Sequence, residues 1–272
     1  MDLTGRTALV TGGVGLLGSQ FVKTLVLAGA KVAIFDVRTA FPSTLSEIRK
    51  YESSSFELFQ VDITNTEQVK GGFEGISSMG METPTILINC AGLDTVIGQT
   101  SLEQCGPFED YSEETWDSVI DSHLKGAFLV SREFFLRFKS NGQKSGSIIN
   151  ISSTYGLVSP DQSAYEYRRQ RGENFYKPVA YTVAKAGMIG FTKWLAEYGG
   201  PLGIRVNALV PGGTNAGQRL DPEFVEEYEK RTMLGRMASP DDYNEAVLFL
   251  ASDASRYMTG ATLVIDGGWT AK

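Results

Sequence analysis

Tyr181 and Lys185 stand four residues apart in "YTVAK", inside a stretch whose apolar residues recur at helical spacing. Four residues apart on a helix means one shared face. An ammonium beside a phenol favours the phenolate. A tyrosine tuned in this way can exchange a proton with an alcohol or a carbonyl near neutral pH. Of the eleven tyrosines, only Tyr181 has a lysine at that spacing. On its own the pair would read as two surface residues of a helix. It is not on its own, because "SIINISSTYG" upstream runs off the end of a predicted strand at Ser152 and Ser153. Strand ends on the carboxyl side are where α/β sheets bind ligands, and Ser153 can donate there to a substrate oxygen.

A second group of residues suits phosphate binding. Gly13-Val14-Gly15-Leu16-Leu17-Gly18 follows the apolar run "TALVT" and opens an amphipathic stretch, with Gly12 just before it. Glycines at this spacing after a strand permit a tight turn. They let backbone N–H groups approach a pyrophosphate at a helix N-terminus. Gly12, Gly13, Gly15, Leu16, Leu17 and Gly18 are therefore expected around a dinucleotide, the other reading being a purely structural glycine turn. Asp36, at the end of the next apolar run, supports the dinucleotide. A carboxylate there accepts hydrogen bonds from the ribose hydroxyls and repels a 2′-phosphate, which predicts NAD with NADP disfavoured. Arg38, two residues on, argues the other way, since arginine pairs with phosphate.

Holding these groups together requires strands and helices in alternation. Seven short apolar runs recur: "TALV" (7–10), "VAIF" (32–35), "FELFQV" (56–61), "TILIN" (85–89), "SIINI" (147–151), "IRVNALV" (204–210) and "TLVI" (262–265). Most are continuous rather than alternating, as in strands buried on both faces. Between them lie helical patterns: "LGSQFVKTLVLAG" ending at Gly29, one long run from a cap-like Ser112, and "YTVAKAGMIGFTKWLAEYG". Such alternation predicts right-handed βαβ units and a parallel sheet. No linker or repeat divides the chain, so residues 1–272 are expected to form one domain.

The composition narrows the function. Of 272 residues, 42% are hydrophobic and 21% charged, which is ordinary for a globular domain. A net charge of -7 argues against nucleic acid as a partner. His123 is the only histidine, and Cys90 and Cys105 are the only cysteines. No metal site of the His/Cys type is expected, and no disulfide framework. No apolar run reaches the ~18 residues of a membrane span. With an apolar run almost from Met1 and no signal-peptide pattern, a cytoplasmic location is the expectation.

In family order, the chain carries TG-G-x-G-x-x-G, Asp36, "VDI" (61–63), N-x-A-G (89–92), I-x-x-S, Y-x-x-x-K, "PGG" (211–213) and a terminal "IDGG". In these it resembles the single-domain short-chain dehydrogenases/reductases. The resemblance covers almost the whole chain and implies a Rossmann-type, doubly wound parallel sheet of seven strands with helices on both faces. It implies Tyr181 as general acid/base and Lys185 as the residue that lowers its pKa and holds the nicotinamide ribose. Ser153, rather than Ser152, would orient the substrate oxygen. Asp62 and Ile63 would sit by the adenine. Asn89, Ala91, Gly92, Pro211, Gly212 and Gly213 would line the cofactor. A homodimer or homotetramer is also implied.

Three features depart from that pattern. The glycine spacing, with Gly15 and Leu16 where the branch usually has the reverse, is more usual in sugar-nucleotide-modifying relatives. His123, in "DSHLKG", stands where the family generally has an asparagine that supports a proton relay through water. His123 is a candidate catalytic residue if its imidazole holds the relay water in place of the amide; the other reading, commoner on general burial habits, is a packed residue. Ser153 and Tyr181 are also 28 positions apart, about twice the family gap. Residues 159–178 form an insertion, similar to one in relatives from bacterial surface-sugar and flagellin-modification pathways. Its Tyr165, Tyr167, Tyr176, Arg168, Arg169, Arg171 and Lys177 suit a ring and an anion, so it is expected over the substrate pocket, with 212–235 as a substrate loop. The alternative for such a charged run is a solvated loop or a subunit contact. The expected activity is NAD-dependent interconversion of a secondary alcohol and a ketone on a small molecule. The rivals are a sugar-nucleotide epimerase or dehydratase with tightly held NAD, and a non-catalytic NAD-binding protein.

Overall fold

A computed structural model describes residues 1–49, 55–93, 102–215 and 220–272. Each of the seven apolar runs is a strand: β1 (Thr7–Thr11), β2 (Lys31–Asp36), β3 (Phe56–Gln60), β4 (Ile86–Asn89), β5 (Gly146–Ile151), β6 (Ile204–Pro211) and β7 (Thr262–Ile265). They form one parallel sheet in the order β3-β2-β1-β4-β5-β6-β7. The order reverses between β1 and β4, which opens a crevice at the carboxyl ends of those strands.

Continuous apolar strands follow from two covered faces. On one side Ala8 and Val10 of β1 pack with α1 (Leu16–Leu27), α2 (Ser43–Arg49) and a late helix at Asn244–Ala251. On the other, Leu9 packs with α3 (Thr66–Ser78), with a helix at Gly126–Ser140 and with the long helix at Val179–Gly199. Neighbouring residues of one strand thus belong to opposite layers, so both are mostly apolar, and a polar one such as Asn150 is hydrogen-bonded within the fold.

The long pattern from Ser112 is not one helix. After the short α4 (Leu102–Cys105), Ser112 caps α5 (Glu113–Ile120), its Oγ accepting from Thr115 N at 3.1 Å. A π turn, Asp121–Lys125, then leads into α6 (Gly126–Ser140). Gly126 lets this junction close on the sheet: a Cβ there would lie 2.4 Å from Ile63 Cδ1.

Above the sheet's carboxyl edge the insertion folds into a 3₁₀ turn, Gln162–Tyr165, and α7 (Glu166–Gln170), before α8 (Val179–Gly199). The segment after β6 carries α9 (Pro222–Glu229), and α10 (Asn244–Ala251) precedes β7. Residues 216–219 of the expected substrate loop lie outside the described residues. Tyr165, Phe175, Phe224, Tyr228 and Met237 close a small apolar core of their own, with Trp269 against it. The insertion is therefore a packed roof, not a solvated loop.

Candidate active site

A cleft of about 1020 Å³ runs from the glycine-rich turn to this roof. At its first end, contacts between backbones dictate the glycines. Gly12 has φ +66, and a Cβ on it would lie 2.7 Å from Ala91 Cα. A Cβ on Gly18 would lie 2.1 Å from Gly12 O. Gly15 is the N-cap of α1 and no side chain caps that helix, so the helix N-terminus offers its N–H groups to an anion. Gly12, Gly15, Leu16, Leu17 and Gly18 line the cleft. Gly13 is buried behind it: a Cβ there would strike Ile34 Cγ2 at 2.7 Å. Its missing side chain lets α1 pack against β2, with Val22 Cγ2 also 3.2 Å from that position.

Asp36 is 5% exposed at the end of β2, and its Oδ2 accepts from Val14 N at 3.2 Å. Arg38 grips the same carboxylate, with Nε to Oδ1 at 3.0 Å and Nη2 to Oδ2 at 3.1 Å. The two residues that argue opposite ways about the cofactor thus form one ion pair on the cleft wall. Asp62, Ile63, Ala91 and Gly92 line the cleft beside them. Asn89 does not. It is buried, donating to Ser131 Oγ at 3.1 Å and Asn150 Oδ1 at 2.8 Å. It thereby ties β4 to α6 and β5 beneath the site. Thr11, the first residue of the TG-G-x-G-x-x-G motif, accepts from both Cys90 N and Ala91 N at 3.1 Å and so sets the glycine turn against the end of β4.

Ser153, Tyr181 and Lys185 all line the cleft, beyond the glycines. Ser152 Oγ donates to Lys185 O at 2.7 Å, which spends its proton inside the fold. Ser153 Oγ accepts from Tyr155 N at 3.2 Å, which leaves its proton for a substrate oxygen. Lys185 is 5% exposed and donates from Nζ to Ile151 O at 2.9 Å. That bond holds Nζ 5.6 Å from the centre of the Tyr181 ring. His123, on the π turn, meets Tyr181 edge-on at 5.7 Å, and its Nε2 lies 2.9 Å from Leu93 O. Gly92 makes room for it: a Cβ there would fall 2.0 Å from His123 Cε1. Burial pushes the neighbouring Cys90 thiol up to about 11, so it is a neutral wall residue.

At the far end, Pro211, Gly212 and Gly213 line the cleft with Tyr155, Tyr165, Phe175, Lys177, Phe224 and Tyr228. Gly213 N donates to Tyr228 Oη at 2.5 Å, and burial raises the Tyr228 phenol above its usual range. Three arginines expected to face an anion are turned away. Arg168 pairs with Glu173. Arg169 bonds Glu166 at 2.7 Å and donates to Phe175 O and Gln162 O. Arg171 pairs with Asp221 at 2.8 Å and Glu223 at 2.9 Å. They brace the roof, because carboxylates of the same segment and of α9 lie within reach. Tyr167 and Tyr176 are likewise not among the lining residues, while Tyr165 and Lys177 are.

With this geometry in view, likeness to known proteins is specific. The family model described as "Enoyl-(Acyl carrier protein) reductase" matches residues 15–270. The chain is 32% identical over 273 residues to the 3-alpha-(or 20-beta)-hydroxysteroid dehydrogenase of Mycobacterium tuberculosis, covering 99% of this chain and 91% of that one. A solved short chain dehydrogenase from Leptospira borgpetersenii, with bound NAD+, has a TM-score of 0.84 and 37% identity over 99% of this chain and 94% of that one. A solved structure from Agrobacterium tumefaciens with bound NADP has a TM-score of 0.82 and 30% identity over 100% and 98%. The chain belongs to the short-chain dehydrogenase/reductase family. It is an oxidoreductase of the type that acts on CH–OH groups with NAD(P). Among the described residues, no helix is long and apolar enough to cross a membrane.

Proposed function

We propose that the protein interconverts a secondary alcohol and a ketone, using NAD(H), on a polyol, sugar or sugar-derived substrate. The observation that carries this reading is one cleft with the glycine turn at one end and Ser153, Tyr181 and Lys185 beyond it. The glycine cradle suits a dinucleotide, since side chains on Gly12 or Gly18 would fill the space between backbones. The nicotinamide, when bound, supplies the hydride chemistry. The chain supplies the rest. Ser153 donates to the substrate oxygen, and in the oxidation direction the Tyr181 phenolate takes the hydroxyl proton. Lys185, fixed on Ile151 O, favours that phenolate. His123 is a packed residue whose ring helps seat Tyr181.

The choice of NAD rests on Asp36. Its carboxylate is buried and bonded to the glycine turn, whereas the Arg38 side chain is 57% exposed. The preference for a sugar-like substrate rests on the aromatic faces that line the far end of the cleft, which suit a ring. A homodimer or homotetramer fits the same reading, since Trp194 on α8 stays 64% exposed while stacked on Tyr198. Light scattering tests it.

The function is tested by following NADH while purified protein is offered polyols, sugars, sugar nucleotides, hydroxy acids and steroid alcohols. Net NADH with one of them, lost in Tyr181→Phe, is expected. Product without net NADH would instead make the protein an epimerase or dehydratase, and NAD binding without any turnover would make it a non-catalytic binder. Asp36→Asn should raise kcat/KM with NADP relative to NAD. A wild-type preference for NADP would transfer the decision to Arg38.

A further inference from the structure

Lys177 is delivered to the cleft by the insertion, four residues before Tyr181. Its backbone is clamped from both sides by one side chain. Lys177 N donates to Gln162 Oε1 at 3.0 Å, and Gln162 Nε2 donates to Lys177 O at 3.3 Å. Gln162 is itself held, since Arg169 Nη2 donates to Gln162 O at 2.8 Å. One residue earlier, Tyr176 N donates to Cys105 O at 2.6 Å. Pro178 then caps α8, which fixes the entry into the helix turn that carries Tyr181. The outcome of this bracing is one contact: Lys177 Nζ lies 4.4 Å from the centre of the Tyr181 ring. Lys185 Nζ is farther from the same ring, at 5.6 Å.

We infer that Lys177 is a second cation acting on Tyr181, a positioning residue that holds the phenol ring and favours its phenolate. A cation over an aromatic face is attracted by the ring's electrons, and a phenolate ring is richer in them than a phenol. Among the described residues, Lys185 on its own helix, Lys177 on the insertion and His123 on the π turn face the Tyr181 ring, with Cys90, at the end of β4, beside Lys185. The Cys90 thiol is neutral, as burial dictates. The insertion thus does more than cover the substrate. It adds a charge to the proton-transfer centre, and Arg169, through Gln162, holds the backbone that carries that charge. This inference rests on the assignment of proton transfer to Tyr181.

The test reads Tyr181 directly. The near-ultraviolet phenolate band lost in Tyr181→Phe is titrated in wild type, Lys177→Met, Lys177→Gln and Lys177→Arg, without substrate. Removing the charge should raise the midpoint by about one pH unit, a roughly tenfold loss of phenolate at a given pH below it. Lys177→Arg should restore most of it. With a turned-over substrate, the limb of kcat/KM that rises with pH in the oxidation direction should move upward by the same amount. Thermal melts show whether each variant is folded. An unmoved midpoint in folded Lys177→Met or Lys177→Gln overturns the inference. So does a rise in substrate KM with no change in the pH profile, which would make Lys177 a substrate-binding group. If Lys177→Met and Lys177→Gln both fail to fold, Lys177 serves the fold and the inference also falls. Because the titration needs no turnover, failure to find any alcohol substrate would count against the proposed function and not against this contact.

Discussion

The two ends of the cleft are built from different materials. At the glycine end, Gly12, Gly15 and Gly18 belong to one short stretch, and the close distances run between backbone atoms or from backbone to a would-be Cβ. At the roof the contacts are made by side chains from three distant segments. Tyr165 of the insertion stacks on Phe224 of α9 at 5.2 Å, and Tyr228 of α9 stacks on Trp269 near the C-terminus at 4.4 Å. Ion pairs bind the same segments, Arg171 to Asp221 and Arg231 to Asp161. Backbone packing admits no added methyl, because a peptide group cannot swing aside. Stacked rings can be exchanged for other rings. The glycine end thus tolerates little change, and on the proposed function the roof is where substrate choice would vary without disturbing it.

The sharpest test of this division lies at its junction. Tyr181→Phe should lower kcat by roughly 10²–10⁴-fold, the usual contribution of a general acid/base, while the dissociation constants of NAD and substrate stay near wild type. A mutant with a third of wild-type kcat would remove Tyr181 from the chemistry.

Gly18→Ala should act on the cofactor end alone. The overlap with Gly12 O forces the turn open, at a cost of about 1–3 kcal/mol. NAD affinity, read by fluorescence titration, should fall about tenfold or more. Unchanged affinity would show that the turn has room the structure does not suggest. Phe224→Ala is the mirror test at the roof. It should raise substrate KM several-fold and lower the melting temperature, leaving NAD affinity unchanged. A matching loss of NAD affinity would mean that the two ends are coupled.

The smallest effect expected concerns pH. The Ser163 hydroxyl and the Arg231 guanidinium hold the Asp161 carboxyl down at about 2, below its ordinary 3.8. A depressed carboxyl adds stability above its unfolded value, and that stability is lost as pH falls from 3.8 to about 2. Asp161 is 46% exposed at its side chain, so solvent screening limits the contribution to about 0.5 kcal/mol. Asp161→Asn should melt slightly below wild type at neutral pH and merge with it in acid. A constant difference at all pH values would mean that the ionised carboxylate contributes nothing of its own.

Much of the cofactor end could be read directly from the residues. The strands followed from continuous apolar runs, and the glycine turn from local spacing, because both are short-range consequences of chain geometry. Even there, Gly13 and Asn89 carried motif positions but serve packing and a buried hydrogen-bond network. A motif names positions that go together and does not say which atoms face the ligand. Thr11, the first residue of the glycine motif, is a further case. Its hydroxyl joins β1 to the end of β4, and no spacing signals a bond across 79 residues.

The roof was legible only as an insertion rich in arginine and tyrosine. Which of its groups would face the cleft depended on partners contributed by α9 and the C-terminus. By itself the sequence determined the parallel α/β sheet, the dinucleotide turn and the Ser153, Tyr181 and Lys185 set, since each rests on local periodicity or on motifs whose parts occur in fixed order. The tertiary structure decided that Arg168, Arg169 and Arg171 brace rather than bind. It also decided that Asp36 and Arg38 are one ion pair and that Lys177 lies on the Tyr181 ring. The physical reason is that a charged side chain takes whichever counter-charge or ring the fold brings within a few ångströms, and for the roof those partners are set by long-range packing that leaves no periodic trace in the chain.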